Sequence, residues 1–146
     1  MTEPHATLVK FGYPGTLIRA YGHWRVLLRQ QQVTLGALVL CAAGEEQSFA
    51  ALPREAYTEL HAVARDCEAA LNAFRPFDRI NYLMLMMVDP QVHFHVLPRY
   101  SEAQEFEGQR FEDAGWPGPP DLKGGVKADA AFEAKLLHAL KAVWPK

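Results

Sequence analysis

The spacing of apolar and polar positions changes several times along this chain, and each change marks an element. Between Thr7 and about Ala42 the apolar runs are short: Thr16–Ile18, Trp24–Leu28 and Ala37–Cys41. Tyr13-Pro14-Gly15, Tyr21-Gly22 and Gln30 to Gly36 separate them, so this section reads as strands joined by turns. A polar loop, Ala42-Ala43-Gly44-Glu45-Glu46, closes it. The period then becomes helical. Leu60, Val63, Ala64, Cys67, Ala70, Leu71 and Phe74 form one stripe, which predicts a helix that starts near Pro53 and is stopped by Pro76. Ile80 to Val88 is almost continuously apolar and predicts a strand covered on both faces. Asp89-Pro90 is a turn signal, so Gln91–Leu97 is expected to return as an antiparallel strand. Ser101 to Gly125 is a long polar, Pro/Gly-rich loop of the kind that is functional or packs on a neighbour. A last helix, about 128–143, carries Phe132, Leu136, Leu137, Leu140 and Val143 on one face. The pattern predicts one α+β domain over residues 1–146, an antiparallel sheet with packed helices.

One strand carries more than structure. Val92, Phe94 and Val96 alternate with Gln91, His93 and His95, so one strand face is apolar and the other presents an amide and two imidazoles. Three readings of that face are open. His-x-His can offer two ligands to a metal ion, but a third is needed. Arg99 and Tyr100 stand where a cupin-like Glu would fall, and spacing marks none of His5, His23, His61 or His138 as the missing ligand. Alternatively an imidazole attacks phosphorus directly. It must be unprotonated, its other ring nitrogen held by an acceptor, with donors for the phosphoryl oxygens. Gln91 and His95 flank the central His93 for that purpose. The third reading is a solvated polar strand face with two incidental histidines. His61 and His138 lie off their helix stripes and are expected at the surface.

Composition narrows the class. The 146 residues are 49% hydrophobic and 22% charged, ordinary for a globular protein, and the net charge is −2. Without a basic run, a nucleic-acid partner is not expected. No apolar run approaches a membrane span, and the N-terminal sequence lacks a signal-peptide pattern. Cys41 and Cys67 sit in apolar patterns and read as small core residues. A cytoplasmic location is therefore expected, with no cofactor and no resident metal.

The run Gln91-Val92-His93-Phe94-His95-Val96-Leu97-Pro98-Arg99 resembles the histidine triad (HIT) motif, His-φ-His-φ-His-φ-φ followed by Pro-Arg. Val33 to Leu40 looks like that family's Pro-Gly-His strand entry. The helix from Pro53, the strand at Asn81 and Trp116-Pro117 follow the family order, so the resemblance covers about residues 10 to 120. It implies a HIT-like fold, a homodimer, and a nucleotide hydrolase or transferase. Such an enzyme acts at the α-phosphate of a dinucleoside polyphosphate or nucleoside phosphoramidate through a nucleotidyl-histidine. By the same resemblance His93 is the nucleophile, while His95 holds it and contacts phosphate oxygen. Gln91 takes the place of the first triad histidine, and related uridylyltransferases tolerate Gln at the third. Ala37 stands where a His is common, and Leu83–Pro90 has no counterpart of a Gly-Gln element. The candidate substrate contacts are Asn81, Arg99 and Arg29, the last near the position of a ribose-holding Asp or Asn. Asn81 could equally satisfy a turn, and Arg99 could equally pair with an acidic neighbour. A non-catalytic nucleotide-binding relative is the alternative reading.

Overall fold

A computed structural model describes residues 3–146. In chain order its elements are α1 (Ala6–Lys10), β1 (Leu17–Ala20), β2 (Trp24–Leu28), β3 (Gln31–Gln32), β4 (Leu38–Ala42), α2 (Arg54–Phe74), β5 (Arg79–Leu83), β6 (His93–Arg99), β7 (Gln104–Phe106), β8 (Gln109–Phe111), β9 (Val126–Lys127) and α3 (Ala130–Val143). Five strands make one antiparallel sheet in the order β1-β2-β4-β6-β5, as the α+β pattern predicts. β6 is an inner strand and yet contains Pro98. The β4 register reaches only from His93 to Val96, so beyond it Pro98 has a partner on the β5 side alone and leaves no inner ladder bond unmade.

Period two divides the sheet into two chemically different faces. Val26, Leu28, Leu38, Leu40 and Val96 pack against Val63, Cys67 and Leu71 of α2 and against Leu136 and Leu140 of α3. This is the main core, and both helices turn their predicted stripes into it. Burial, helped by Asp89 and opposed by Arg25, drives the Cys41 thiol up to about 12, and burial with Asp66 and Glu68 raises Cys67 as well, so both remain neutral packing groups. On the opposite face Leu27, Val39 and Cys41 meet Leu8 of α1. Further along, Val33, Ala37 and Leu97 form a dry cluster with Leu83 and Leu122. Ala37, which stands where the resemblance would place a His, is thus part of the core.

α2 begins one residue later than predicted, because Pro53, at ψ 151°, is its N-cap rather than its first helical residue. It ends at Arg75, whose φ of −150° is the extended conformation imposed by the following proline. Asp129 caps α3 by accepting from the Phe132 N–H at 2.8 Å.

Three expectations are corrected. The stretch after Thr7 opens with a helix rather than strands. β-branched Thr7 and Val9 disguise that helix in the sequence, whereas His5 stabilises it by accepting from the Leu8 N–H at 3.3 Å. Ile80–Val88 is not a doubly covered strand. β5 stops at Leu83 on the sheet edge, Met86 has φ 53°, and Leu85, Met87 and Val88 are 48%, 84% and 80% exposed. Hydrophobicity predicted burial there, but the strand order placed nothing beyond β5. Finally, Ser101–Gly125 is not structureless. β7 and β8 form a hairpin turning through Glu107 and Gly108, both at positive φ as a tight two-residue turn requires. Beyond it, β9 pairs with β3, and Gly125 allows that approach, since a Cβ there would lie 2.4 Å from the Gln32 carbonyl oxygen. Among the described residues no helix is long and apolar enough to cross a membrane.

Candidate active site

His93 and His95 project from the α1 side of β6, opposite Cys41 and Val39 of β4. Both are buried, at 3% and 8% exposure. Their rings meet edge to face with centroids 5.3 Å apart, and Phe11, just after α1, covers them at 5.6 and 5.9 Å. Hydrogen bonds then decide what each ring can do. His93 Nδ1 lies 2.8 Å from the main-chain carbonyl of Gln91. A carbonyl only accepts, so Nδ1 carries the proton and the Nε2 lone pair of the neutral ring is free. His95 Nδ1 instead accepts from the Arg29 Nε–H at 3.3 Å, which places its own proton on Nε2 as a donor. One imidazole is set as a nucleophile, its neighbour as a hydrogen-bond donor.

Burial, reinforced by the nearby Arg29 and His93 and opposed only by Asp89, lowers His95 to about 4. A histidine in the unfolded chain takes up its proton near 6.5. The unfolded state therefore binds more protons between those values, and stability should fall as pH drops through that window. Imidazole NMR should show His95 neutral down to about pH 4. Arg29→Gln removes a cation and should move that titration upward; no movement would show that Arg29 does not act on His95.

Gln91 precedes β6, and its side chain turns toward α1. Its Oε1 accepts from the Thr7 hydroxyl at 2.6 Å and the Thr7 N–H at 3.2 Å, while its own N–H donates to Thr7 Oγ1 at 3.1 Å. The Thr7 N–H can only donate, which assigns the oxygen to this side of the amide. Among the described residues Gln91 Nε2 has no partner and is not sealed from solvent, so it remains a donor. Thr7→Val is expected to cost about 1–3 kcal/mol by stranding the Gln91 N–H and removing one of the two donors to its Oε1. Urea denaturation reads the loss, and a change under a few tenths would show that water replaces Thr7.

Arg29 sits beside His95, half-buried, with Nη1 donating to the Gln31 carbonyl at 2.6 Å. Burial disfavours its charged form. Its backbone is held by Gln32, whose buried amide donates to the Arg29 and Ala37 carbonyls at 2.5 and 2.9 Å and accepts from the Gly36 N–H at 2.8 Å. Next to Arg29 opens a small cleft of about 230 Å³, lined by Phe11, Arg29, Gln30, Gln31 and Lys127.

The structure gathers Gln91, His93, His95 and Arg29, but places Asn81 and Arg99 at the far end of β5 and β6. Arg99 donates from Nε and Nη2 to both Asp113 carboxylate oxygens, at 2.5 and 2.9 Å. It also reaches Asn81 Oδ1 at 2.7 Å and the Gly118 carbonyl at 2.9 Å. Every guanidinium nitrogen is occupied. The pair pins the segment after β8 to the sheet.

His5 donates through Nε2 to the Ala42 carbonyl at 2.7 Å and caps α1 through Nδ1, so both its nitrogens are committed. Among the described residues no group of three or more His, Cys, Asp or Glu side chains is arranged to hold a metal ion. The pattern of the sequence missed Thr7, Phe11 and Lys127, which act across long separations, and Gln32, whose bonds reach only residues 29, 36 and 37 but which nothing in the polar run Arg29–Gln32 sets apart.

No protein-family model and no curated relative matches the sequence. Solved structures do match its shape. A histidine triad protein from Sinorhizobium meliloti superposes with a TM-score of 0.75 at 17% identity, over 97% of this chain and 96% of that one. One from Marinobacter aquaeolei gives 0.74 at 19% identity, over 99% and 96%. Another from Bradyrhizobium japonicum gives 0.72 at 19%, over 97% and 98%. The chain has the histidine triad fold.

Proposed function

We propose that this chain is a divergent histidine triad protein that hydrolyses or transfers nucleotides at an α-phosphate through a nucleotidyl-His93 intermediate. The observation that carries the reading is the His93 Nδ1–Gln91 carbonyl bond of 2.8 Å, which aims a free Nε2 lone pair out of the strand. In the first step Nε2 bonds to phosphorus and the bond to the leaving oxygen or nitrogen breaks. The leaving group keeps that electron pair and takes a proton from water. In the second step water attacks phosphorus and the P–N bond breaks, which restores the Nε2 lone pair. His95 Nε2–H, Gln91 Nε2–H and Arg29 supply donors to the phosphoryl oxygens, where charge gathers. Asn81 and Arg99 serve as positioning residues for the segment that follows β8. No cofactor enters the scheme.

Burial of both imidazoles beneath Phe11 favours a second reading, a protein that binds nucleotides without turning them over. Incubation with diadenosine polyphosphates and adenosine phosphoramidates separates the two. The expected result is turnover of at least one, with a quenched intact mass increased by one nucleotidyl group on His93. Binding with neither turnover nor adduct would leave the non-catalytic reading standing. The substrate is a small nucleotide rather than a nucleic acid, consistent with the net charge of −2. The reading includes a cytoplasmic homodimer, supported by the unpaired β5 edge and the exposed Leu85, Met87 and Val88 beside it. Sedimentation equilibrium checks the dimer, and a monomer mass at micromolar concentration would remove it.

A further inference from the structure

Arg29 is a half-buried cation without a counter-ion among the described residues. The ion pairs among the described residues are Lys10–Asp89, Arg65–Asp66, Arg99–Asp113 and Arg110–Glu112. Arg29 spends Nε on His95 and one Nη1 proton on Gln31, while Nη2 bonds to nothing among those residues. A guanidinium taken partly out of water without an anion is costly, so the arrangement calls for one. Asp89, the acid whose charge acts on His95, is held by Lys10 at 3.0 Å.

A second cation is brought to the same place by the C-terminal segment. Lys127 shares the small cleft with Arg29, Phe11, Gln30 and Gln31. Its backbone is not loose. Gln31 pairs with Lys127 across β3 and β9, the Gln31 amide donates to the Gly124 carbonyl at 2.8 Å, and Gly125 closes against Gln32 without a side chain. Lys127 also borders a second groove with Glu107, Asp129 and Lys135, but it forms an ion pair with neither acid among the described residues, and Asp129 is committed to capping α3. Neither histidine lines the cleft, so an anion seated there is not the phosphoryl group facing His93.

We infer that the substrate carries a second phosphate, besides the one facing His93, and that Arg29 and Lys127 hold it in the cleft beside His95. The first phosphate of this inference rests on the nucleotidyl-transfer reading. The second has two chemical sources: the next phosphate of a polyphosphate chain, or a phosphate on a ribose hydroxyl. Phe11 at the cleft's edge gives the nucleoside an aromatic face to lie on.

Calorimetric binding of AMP, ADP, adenosine 2′,5′-bisphosphate and adenosine 3′,5′-bisphosphate to the full chain tests this without turnover. At least one doubly phosphorylated ligand should bind about tenfold or more tightly than AMP, the scale of one charge-assisted contact. A gain for ADP points to the chain, and a gain for a bisphosphate to the ribose. Lys127→Gln and Arg29→Gln should each erase most of that gain, whereas Lys123→Gln, on the same segment outside the cleft, should keep it. Equal affinity for all four ligands, binding of none, or a uniform loss in both variants would overturn the inference. A His93 adduct without the phosphate preference sinks this inference alone; the preference without an adduct sinks the turnover reading alone.

Discussion

His93→Ala is expected to abolish nucleotidyl transfer, with a fall in kcat/KM on the order of 10³–10⁶ for a lost covalent nucleophile. The geometry explains why nothing nearby can substitute. His95 has its Nδ1 turned to Arg29 and its proton on Nε2, so it is arranged to donate rather than attack. Cys41, opposite His93 on β4, is held as a neutral thiol by burial. His95→Ala should cost less, about 10²–10³-fold, because it removes one donor to developing charge and leaves the nucleophile in place. Steady-state kinetics on any substrate the parent turns over reads both variants, and far-ultraviolet circular dichroism checks that they fold. An active His93→Ala protein, or a larger loss at His95 than at His93, would reassign the nucleophile.

Asp113→Ala should destabilise the fold by about 3–5 kcal/mol, because it leaves the Arg99 guanidinium buried without its charge partner. Both side chains are nearly inaccessible, at 4% and 2%, and the contact is bidentate. Against a total of about 5–15 kcal/mol for a domain, that loss is severe. Urea denaturation measures it. The double variant Arg99→Met, Asp113→Leu should recover much of the stability, since it leaves no uncompensated charge. A loss below about 1 kcal/mol for the single variant would mean that water reaches the guanidinium when the carboxylate is gone. Turnover per folded molecule should survive in the double variant, because the pair lies at the far end of β6 from the histidines.

Much of the sheet is legible in the chain because its apolar positions serve one purpose at a time. Trp24–Leu28 is observed with the predicted bounds, and β4 and β6 differ from prediction by one or two residues at their ends. The stripes of α2 and α3 are read correctly for the same reason: periodicity reports which face is dry. α1 escaped because five residues containing Thr7 and Val9 have little helical preference, and what sustains them is non-local. His5 reaches Ala42 and Thr7 reaches Gln91. The Leu83–Val88 segment misled for the opposite reason. Its residues are apolar enough for a core, but hydrophobicity carries no information about whether a neighbour exists to cover them.

For the candidate site the division is similarly physical. The sequence alone determined that Gln91, His93 and His95 fall on one side of an extended segment, since alternation is a property of the backbone, and that two imidazoles stand next to each other there. Tertiary structure decided what each of them can do. The tautomers depend on a main-chain carbonyl and on Arg29, the direction of the Gln91 amide depends on Thr7, and the cation beside Arg29 arrives from the far end of the chain at Lys127. Hydrogen-bond partners and charge neighbours are set by distance in space. Local sequence controls that distance only within a strand or a helical turn, and beyond it the fold chooses.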